Sequence, residues 1–278
     1  MRTTECIDAD GSRPSRFWTD GAEERSGGAE EGRIETSRAA NPARSAAEGK
    51  LGTVHAVIAV KNLELAKSRL ADRLLPRDRP RLVLAMLTDT VTAAVATASV
   101  ASVTVVTPDP VVRELVRGLG ARVQPEPAIP GGLNAALAAG AAAIRSAHGP
   151  VDLLALQADL PALRSRELAD MVSAAKHRRS VVADHDGSGT VALLVRDPGT
   201  ALDPLFGPDS ARRHIAAGAV ELLGDWPGLR QDVDTAADLD RAAALGVGAA
   251  TDTLLSEIGV SQACRGVEQV QRTGSSLC

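Results

Sequence analysis

Aromatic residues are almost missing from this 278-residue chain, which holds two Phe, two Trp and no Tyr. A base-stacking surface for single-stranded nucleic acid therefore has little to be built from. No excess of positive charge makes up for this, because the formal net charge is -4. Nucleic acid is thus not an expected partner. Cysteine is equally scarce: Cys6, Cys264 and Cys278 lie near the chain ends, without metal-ligand spacing and without a disulfide framework. That usage fits a reducing, cytoplasmic setting. No apolar run reaches the roughly 18 residues of a membrane span, and the first residues lack the apolar h-region of a secretory signal. The five histidines, His55, His148, His177, His185 and His214, form no HxxxH-type cluster, and GxSxG is absent. A nucleophilic triad is therefore not expected. Neither GxxxxGK[ST] nor GxGxxG occurs.

What the chain does have is Ala, Val and Leu in alternating blocks, with 44% hydrophobic and 24% charged residues. Residues 1–52 stand apart. They are rich in Gly, Ser, Ala and charge without a sustained period, and so cannot bury enough apolar surface to offset ordering entropy. They read as a disordered or spurious extension, and residues 256–278 as a shorter flexible tail. Between them, 53–255 reads as one domain. "VHAVIAV" (54–60), "SVTVVTP" (102–108), "ARVQPE" and "DLLALQADLP" (152–161) are strand-like. "SVVADHDGSGTVALLVR" (180–196) reads as two strands around a Gly-rich loop, and "VELLG" and "LRQDVDT" as the last strands. Helical spacing marks 78–98, 109–119, a glycine-led 131–147, 165–177, "PDSARRHIAAG" and, as the last helix, 236–245 with a Thr235–Asp238 capping box. Strands alternating with helices predict an α/β fold with a mainly parallel sheet flanked by helices. Ligands in such folds bind beyond the carboxyl ends of the strands.

Candidate chemistry falls at those ends. "VKNLELAKSRL" places Lys61, Lys67 and Arg69 directly after the first strand. A phosphate chain would suit them, although a solvated helix face would look the same. Asp159 ends a buried strand, as a Mg²⁺ ligand or as an ordinary cap for the next turn. "DVD" sets Asp232 and Asp234 on opposite sides of an extended segment, a weak signal alone. "FGPDSARRH" puts Gly207 and Ser210 at a short helix start, which suits an anion or an ordinary cap. Thr190 follows "DGSG" and is a hairpin residue by default.

Taken in order, "AVKNLELAKSRL", "LVLAMLTDTV", "GGLNAAL", "LQADLPAL", "DGSGTVALL", "FGPDSARRH" and "DVDTAADL" resemble the 2-phospholactate guanylyltransferase family, and closely its bacterial phosphoenolpyruvate-using branch in coenzyme F420 biosynthesis. The resemblance covers roughly residues 54–250. It implies a single-domain nucleotidyltransferase (nucleotide-diphospho-sugar transferase-like) fold. The implied reaction joins GTP and phosphoenolpyruvate, with Mg²⁺, to give enolpyruvyl-diphospho-5'-guanosine and pyrophosphate. A downstream transferase of the same pathway would take the product. The resemblance carries the phosphoenolpyruvate contacts onto Thr190, Gly207 and Ser210, and the metal-site acids onto Asp159 and Asp232 with Asp234 adjacent. Lys61, Lys67 and Arg69, with Asn134, would meet the nucleotide, the three cations stabilising the leaving pyrophosphate. The family pattern does not include the N-terminal extension, and Val60-Lys61 stands where related enzymes carry a glycine-rich loop. The alternatives are 2-phospholactate as acceptor, another nucleotidyltransferase or a DxD glycosyltransferase of the same architecture, and a catalytically silent binding protein.

Overall fold

The apolar run after Thr53 does become a strand, because nearly every residue in it finds a buried partner on one face or the other. A computed structural model describes residues 53–61, 63, 67–127 and 131–260 of the chain. In β1 (Val54–Ala59), Val54, Ala56 and Ile58 point into one apolar cluster while Val57 points into a second on the opposite face. Burial on both faces is why the run is continuous rather than alternating.

Six further strands complete the sheet: β2 (Val100–Val106), β3 (Arg122–Gln124), β4 (Leu153–Leu156), β5 (Arg179–Ala183), β6 (Thr190–Val195) and β7 (Val220–Glu221). Their order is β3-β2-β1-β4-β6-β5-β7. All neighbours run parallel except β6, which is antiparallel to both β4 and β5. The inverted strand matters for function. It brings the start of β6 to the same sheet edge as the ends of β1, β4 and β5.

Helices α1 (Asp78–Val95), α2 (Pro110–Gly118), α3 (Gly132–His148), α4 (Ser165–Ala174), α5 (Ser210–Ala216), α6 (Pro227–Arg230), α7 (Ala236–Leu245) and α8 (Ala249–Glu257) surround it. The larger cluster includes Leu82, Met86, Leu168, Met171, Leu239 and Leu254, from α1, α4, α7 and α8. The opposite face is covered by α3 through Ala136, Leu137, Ala141 and Ile144. There, a Cβ on Gly140 would stand 2.6 Å from side-chain carbons of both Val57 and Val106. The helix can approach the sheet this closely only because that position is glycine.

Two expectations need correction. "LRQDVDT" is not a strand: residues 227–230 form the short turn α6, and 231–235 follow as an irregular segment that bends at 234–235 and does not join the sheet. The Arg230 guanidinium donates to the carbonyls of Ala183 and Leu222 instead, tying the segment beside β5 and β7. Nor is 236–245 the last helix. α8 follows it, carries helical order two residues beyond the expected domain end at 255, and packs on α1. Its first-turn amides Ala250 N–H and Thr251 N–H donate to the Asp89 carboxylate of α1, at 3.0 and 2.9 Å. The expected extension, 1–52, and residues 261–278 of the expected tail lie outside the described residues. No helix among the described residues is long and apolar enough to cross a membrane.

Candidate functional site

The ends of β1, β4 and β5 and the start of β6 put Lys61, Asp159, Asp184 and Thr190 along one sheet edge. Asp232 and Asp234 reach the same edge from the segment before α7. Val233 between them is fully buried and anchors the tripeptide. Just beyond it, the capping box closes: the Asp238 carboxylate accepts from the Thr235 N–H at 2.6 Å and the Asp234 N–H at 3.1 Å. The two acids are thus held by a local turn and by core packing.

Lys67 is the centre of this side of the site. Its ammonium pairs with the carboxylates of Asp159 and of Asp234, the latter at 2.8 Å. Its backbone is left-handed, with φ of 57°, an uncommon state for a residue with a side chain. Burial pulls its pKa down, but Asp159 and then Asp234 outweigh that and hold it above the ordinary lysine value. The result is a fixed cation, not a flexible surface lysine.

One ammonium does not balance the acids. Burial pushes the Asp232 carboxyl up to about 8, and the nearby charges of Asp159, Asp234 and Asp184 push the same way, against Lys67. The Asp159 Oδ1 is buried and has no hydrogen-bond partner among the described residues. An orphaned carboxylate oxygen beside a carboxyl that resists ionising is the mark of a site short of positive charge. Among the described residues, no three carboxylate, imidazole or thiol groups are placed to hold a metal by themselves. Mg²⁺ does not require that, since it takes one or two carboxylates and fills its shell with water and substrate phosphates. The donor set therefore fits Mg²⁺ shared with a phosphorylated substrate.

Of the other expected cations, Lys61 and Arg69 are exposed. The Lys61 Nζ lies 3.8 Å from where a Cβ on Gly132 would stand, over the start of α3. The N-cap of that helix, Gly131, offers no side-chain cap, and Gly132 has φ of +77°. Asn134, expected at the nucleotide, has both ends of its amide engaged elsewhere. It donates to the Phe206 carbonyl at 3.0 Å and accepts from the Phe206 N–H at 2.8 Å. Its work in this structure is to hold the loop that leads to Gly207.

Gly207, Ser210 and Thr190 do come together. Asp184 accepts from the Ser188 and Gly189 N–H groups at 2.9 and 2.8 Å, shaping the hairpin before β6. The Ser188 carbonyl then accepts from the Ala211 N–H of α5 at 3.2 Å, which fastens the hairpin to "FGPDS". Gly207 has φ of +123°, a conformation that a side chain would strain, and a Cβ there would crowd the Arg213 guanidinium at 3.2 Å. Ser210 and Thr190 are buried, with 1% and 2% exposure. Residue-by-residue reading passed over Arg213, Asp184 and His214. Arg213 and His214 stand inside the quoted "FGPDSARRH", so the signal was present, but their partners are remote in sequence.

The sheet with its one inverted strand thus gathers acids and cations at the strand ends. The fold is nucleotide-diphospho-sugar transferase-like: a solved structure from Desulfovibrio desulfuricans G20, named for that class, shares it at a TM-score of 0.58 and 14% identity, covering 76% of this chain and 96% of that one. The model of the family described as "Guanylyl transferase CofC like" matches residues 54–272, and the chain belongs to that family. It is 63% identical over 222 residues to a phosphoenolpyruvate guanylyltransferase of Nocardia farcinica, covering 79% of this chain and 97% of the relative. A phosphoenolpyruvate guanylyltransferase of Rhodococcus opacus is 50% identical over 217 residues, 73% of this chain and 90% of the relative.

Proposed function

We propose that this chain transfers the GMP group of GTP to phosphoenolpyruvate, releasing pyrophosphate and forming enolpyruvyl-diphospho-5'-guanosine for coenzyme F420 biosynthesis. The observation that carries the reading is the charge imbalance around Lys67, where Asp159, Asp184, Asp232 and Asp234 outnumber one ammonium. Such a cluster calls for a divalent cation, and a divalent cation there calls for phosphates. The choice of phosphoenolpyruvate rests on the likeness to relatives that bear that name.

The chemistry needs little from the side chains beyond placement and charge. A phosphate oxygen of phosphoenolpyruvate attacks the α-phosphorus of GTP, and the bond to the β-phosphate breaks. A phosphate monoester has a second pKa of about 6, so the nucleophile is already ionised near neutral pH. No general base is required, so a sequence whose five histidines form no cluster suits the reaction. Mg²⁺, when bound, would supply charge neutralisation between two anionic substrates that otherwise repel. Asp159 and Asp232, with Asp234 adjacent, would hold it. Lys67 would keep the acids apart and fixed. Lys61, over the start of α3, and the exposed Arg69 would face the triphosphate and the departing pyrophosphate. Gly207, Ser210 and Thr190 would receive the acceptor. The cytoplasm, where GTP and phosphoenolpyruvate are both available, is the compartment this reading requires, and a transferase that consumes the activated enolpyruvyl group would follow it.

The test is pyrophosphate release from GTP across a panel of acceptors: phosphoenolpyruvate, 2-phospholactate, a sugar phosphate and none. Release that depends on phosphoenolpyruvate is the expected result. Equal release with 2-phospholactate would move the acceptor assignment, and release with none of them would end the reading.

A further inference from the structure

Histidine can pair as donor or acceptor at each ring nitrogen, but a backbone amide can only donate. In α5 the fully buried His214 meets one such amide. The Leu205 N–H lies 2.8 Å from its Nε2, so that nitrogen must present a lone pair. A neutral imidazole carries a single N–H, which then sits on Nδ1. The Nδ1 stands 3.1 Å from the Thr190 hydroxyl. The Nδ1–H therefore faces the Thr190 oxygen and the Ser210 carbonyl, and the threonine's own proton is left without a use on His214. No other side-chain hydrogen bond of Thr190 is present among the described residues.

We propose that His214 is a positioning residue for the acceptor: by fixing its tautomer against the Leu205 amide, it turns the buried Thr190 hydroxyl into an obligate donor for an anionic oxygen of the substrate. The inference rests on the reading of Thr190 as an acceptor contact. A buried hydroxyl proton without a partner is costly, and an anion is the partner that best relieves that cost.

The surroundings keep the ring neutral, as the arrangement requires. Protonating Nε2 would set two donors face to face across 2.8 Å. Burial, the Arg179 guanidinium and, less strongly, that of Arg213 lower the His214 pKa to about 4, against the Ser210 carbonyl, which favours the proton. Phe206 packs edge-on against the ring at 5.3 Å, and its backbone is held by Asn134. The same loop thus carries the amide that sets the tautomer and the glycine beside the expected acceptor.

The experiment uses the full chain with GTP, Mg²⁺ and phosphoenolpyruvate, and the variants Thr190→Val, His214→Phe, His214→Gln and Thr190→Val/His214→Phe. His214→Phe fills the volume and removes both ring nitrogens. It should raise KM for phosphoenolpyruvate roughly tenfold or more, the scale of one hydrogen bond to a charged group, and leave KM for GTP within about twofold. His214→Gln should recover most of that loss, since its amide can accept from Leu205 and donate to Thr190. The double variant should be no worse than Thr190→Val alone, because the histidine acts through the threonine. Equal cost of His214→Phe in both backgrounds, or no recovery by Gln, overturns the proposal. Normal KM for phosphoenolpyruvate in Thr190→Val overturns the acceptor assignment itself, whereas a raised KM there with none in His214→Phe sinks only the role of His214. Nitrogen-15 NMR of the imidazole in the unmodified protein needs no variant to fold. The Nδ1–H tautomer, neutral at pH 7, is expected, and an Nε2–H or charged ring contradicts the argument.

Discussion

The two halves of the strand-end cleft are built on opposite plans. Around Lys67, carboxylates crowd together, one oxygen of Asp159 has no partner among the described residues, and Asp232 is pushed toward holding its proton. Around His214, the described contacts form a chain in which the ring, the Leu205 amide, the Phe206 backbone and the Asn134 side chain each have a partner. The first half is incomplete in charge, and the second is a fixed frame of hydrogen bonds with one donor, the Thr190 hydroxyl, left over. A site that must gather a metal and a polyphosphate gains from a surplus of negative charge that only the correct cation relieves. A site that must orient a small acceptor gains from donors fixed in advance, because orientation lost at binding raises the barrier.

The most damaging way to break this contrast is to take charge from the first half. Asp159→Asn and Asp232→Asn keep the side-chain shape, and each should lower turnover by roughly 100-fold or more, the scale of losing a key electrostatic stabiliser. Steady-state rates at saturating Mg²⁺ check this. Wild-type turnover in both would remove the acids from the metal site.

The second half should respond in binding instead. Ser210→Ala removes one hydrogen bond to a charged group, worth about 1.5–3 kcal/mol, so KM for phosphoenolpyruvate should rise at least roughly tenfold while kcat holds. KM for GTP should barely move. Ser210→Asp should be worse, since it sets a like charge against the substrate. Both Michaelis constants, measured for both variants, test the division. A rise in the GTP constant alone would place the acceptor elsewhere and take Thr190 and Gly207 with it.

Legibility in the sequence follows the same division. Elements whose causes are local could be read: β1 from its unbroken apolar run, the start of α7 from Thr235 and Asp238 three positions apart, the end of α2 from Gly120, whose φ is +78°. Features with remote causes could not. α8 lacks a cap of its own and takes Asp89, 161 positions upstream of Ala250. Lys67 looked like one of three phosphate cations, but its partners stand 92 and 167 positions away, at Asp159 and Asp234. Gln231–Thr235 has the alternation of a strand, and Val233 is indeed buried, yet the segment is held by Arg230 and the capping box without a ladder. His214 has no local cause either: its tautomer is decided by a backbone amide, which carries no sequence signature.

A smaller effect separates the halves by pH. The folded pKa of His214, about 4, lies below its ordinary value of 6.5. Between those values the unfolded chain binds a proton that the folded chain does not. The contribution of His214 to stability is therefore whole above pH 6.5 and is lost as the pH falls toward 4. Thermal melting of the wild type should fall over that window, and His214→Gln should show less of the fall, by about 2 °C or more. Parallel curves for the two proteins would mean the ring does not titrate in this way.

The most direct test of the account follows the oxygen atoms. Phosphoenolpyruvate labelled with oxygen-18 in its phosphate is turned over with GTP and Mg²⁺, and both products are weighed by mass spectrometry. If the acceptor phosphate attacks the α-phosphorus, all the label stays in the guanosine-containing product and the pyrophosphate carries none. Label in the pyrophosphate would mean that the phosphoryl group of phosphoenolpyruvate itself had moved, and the assignment of the two halves to donor and acceptor would be wrong.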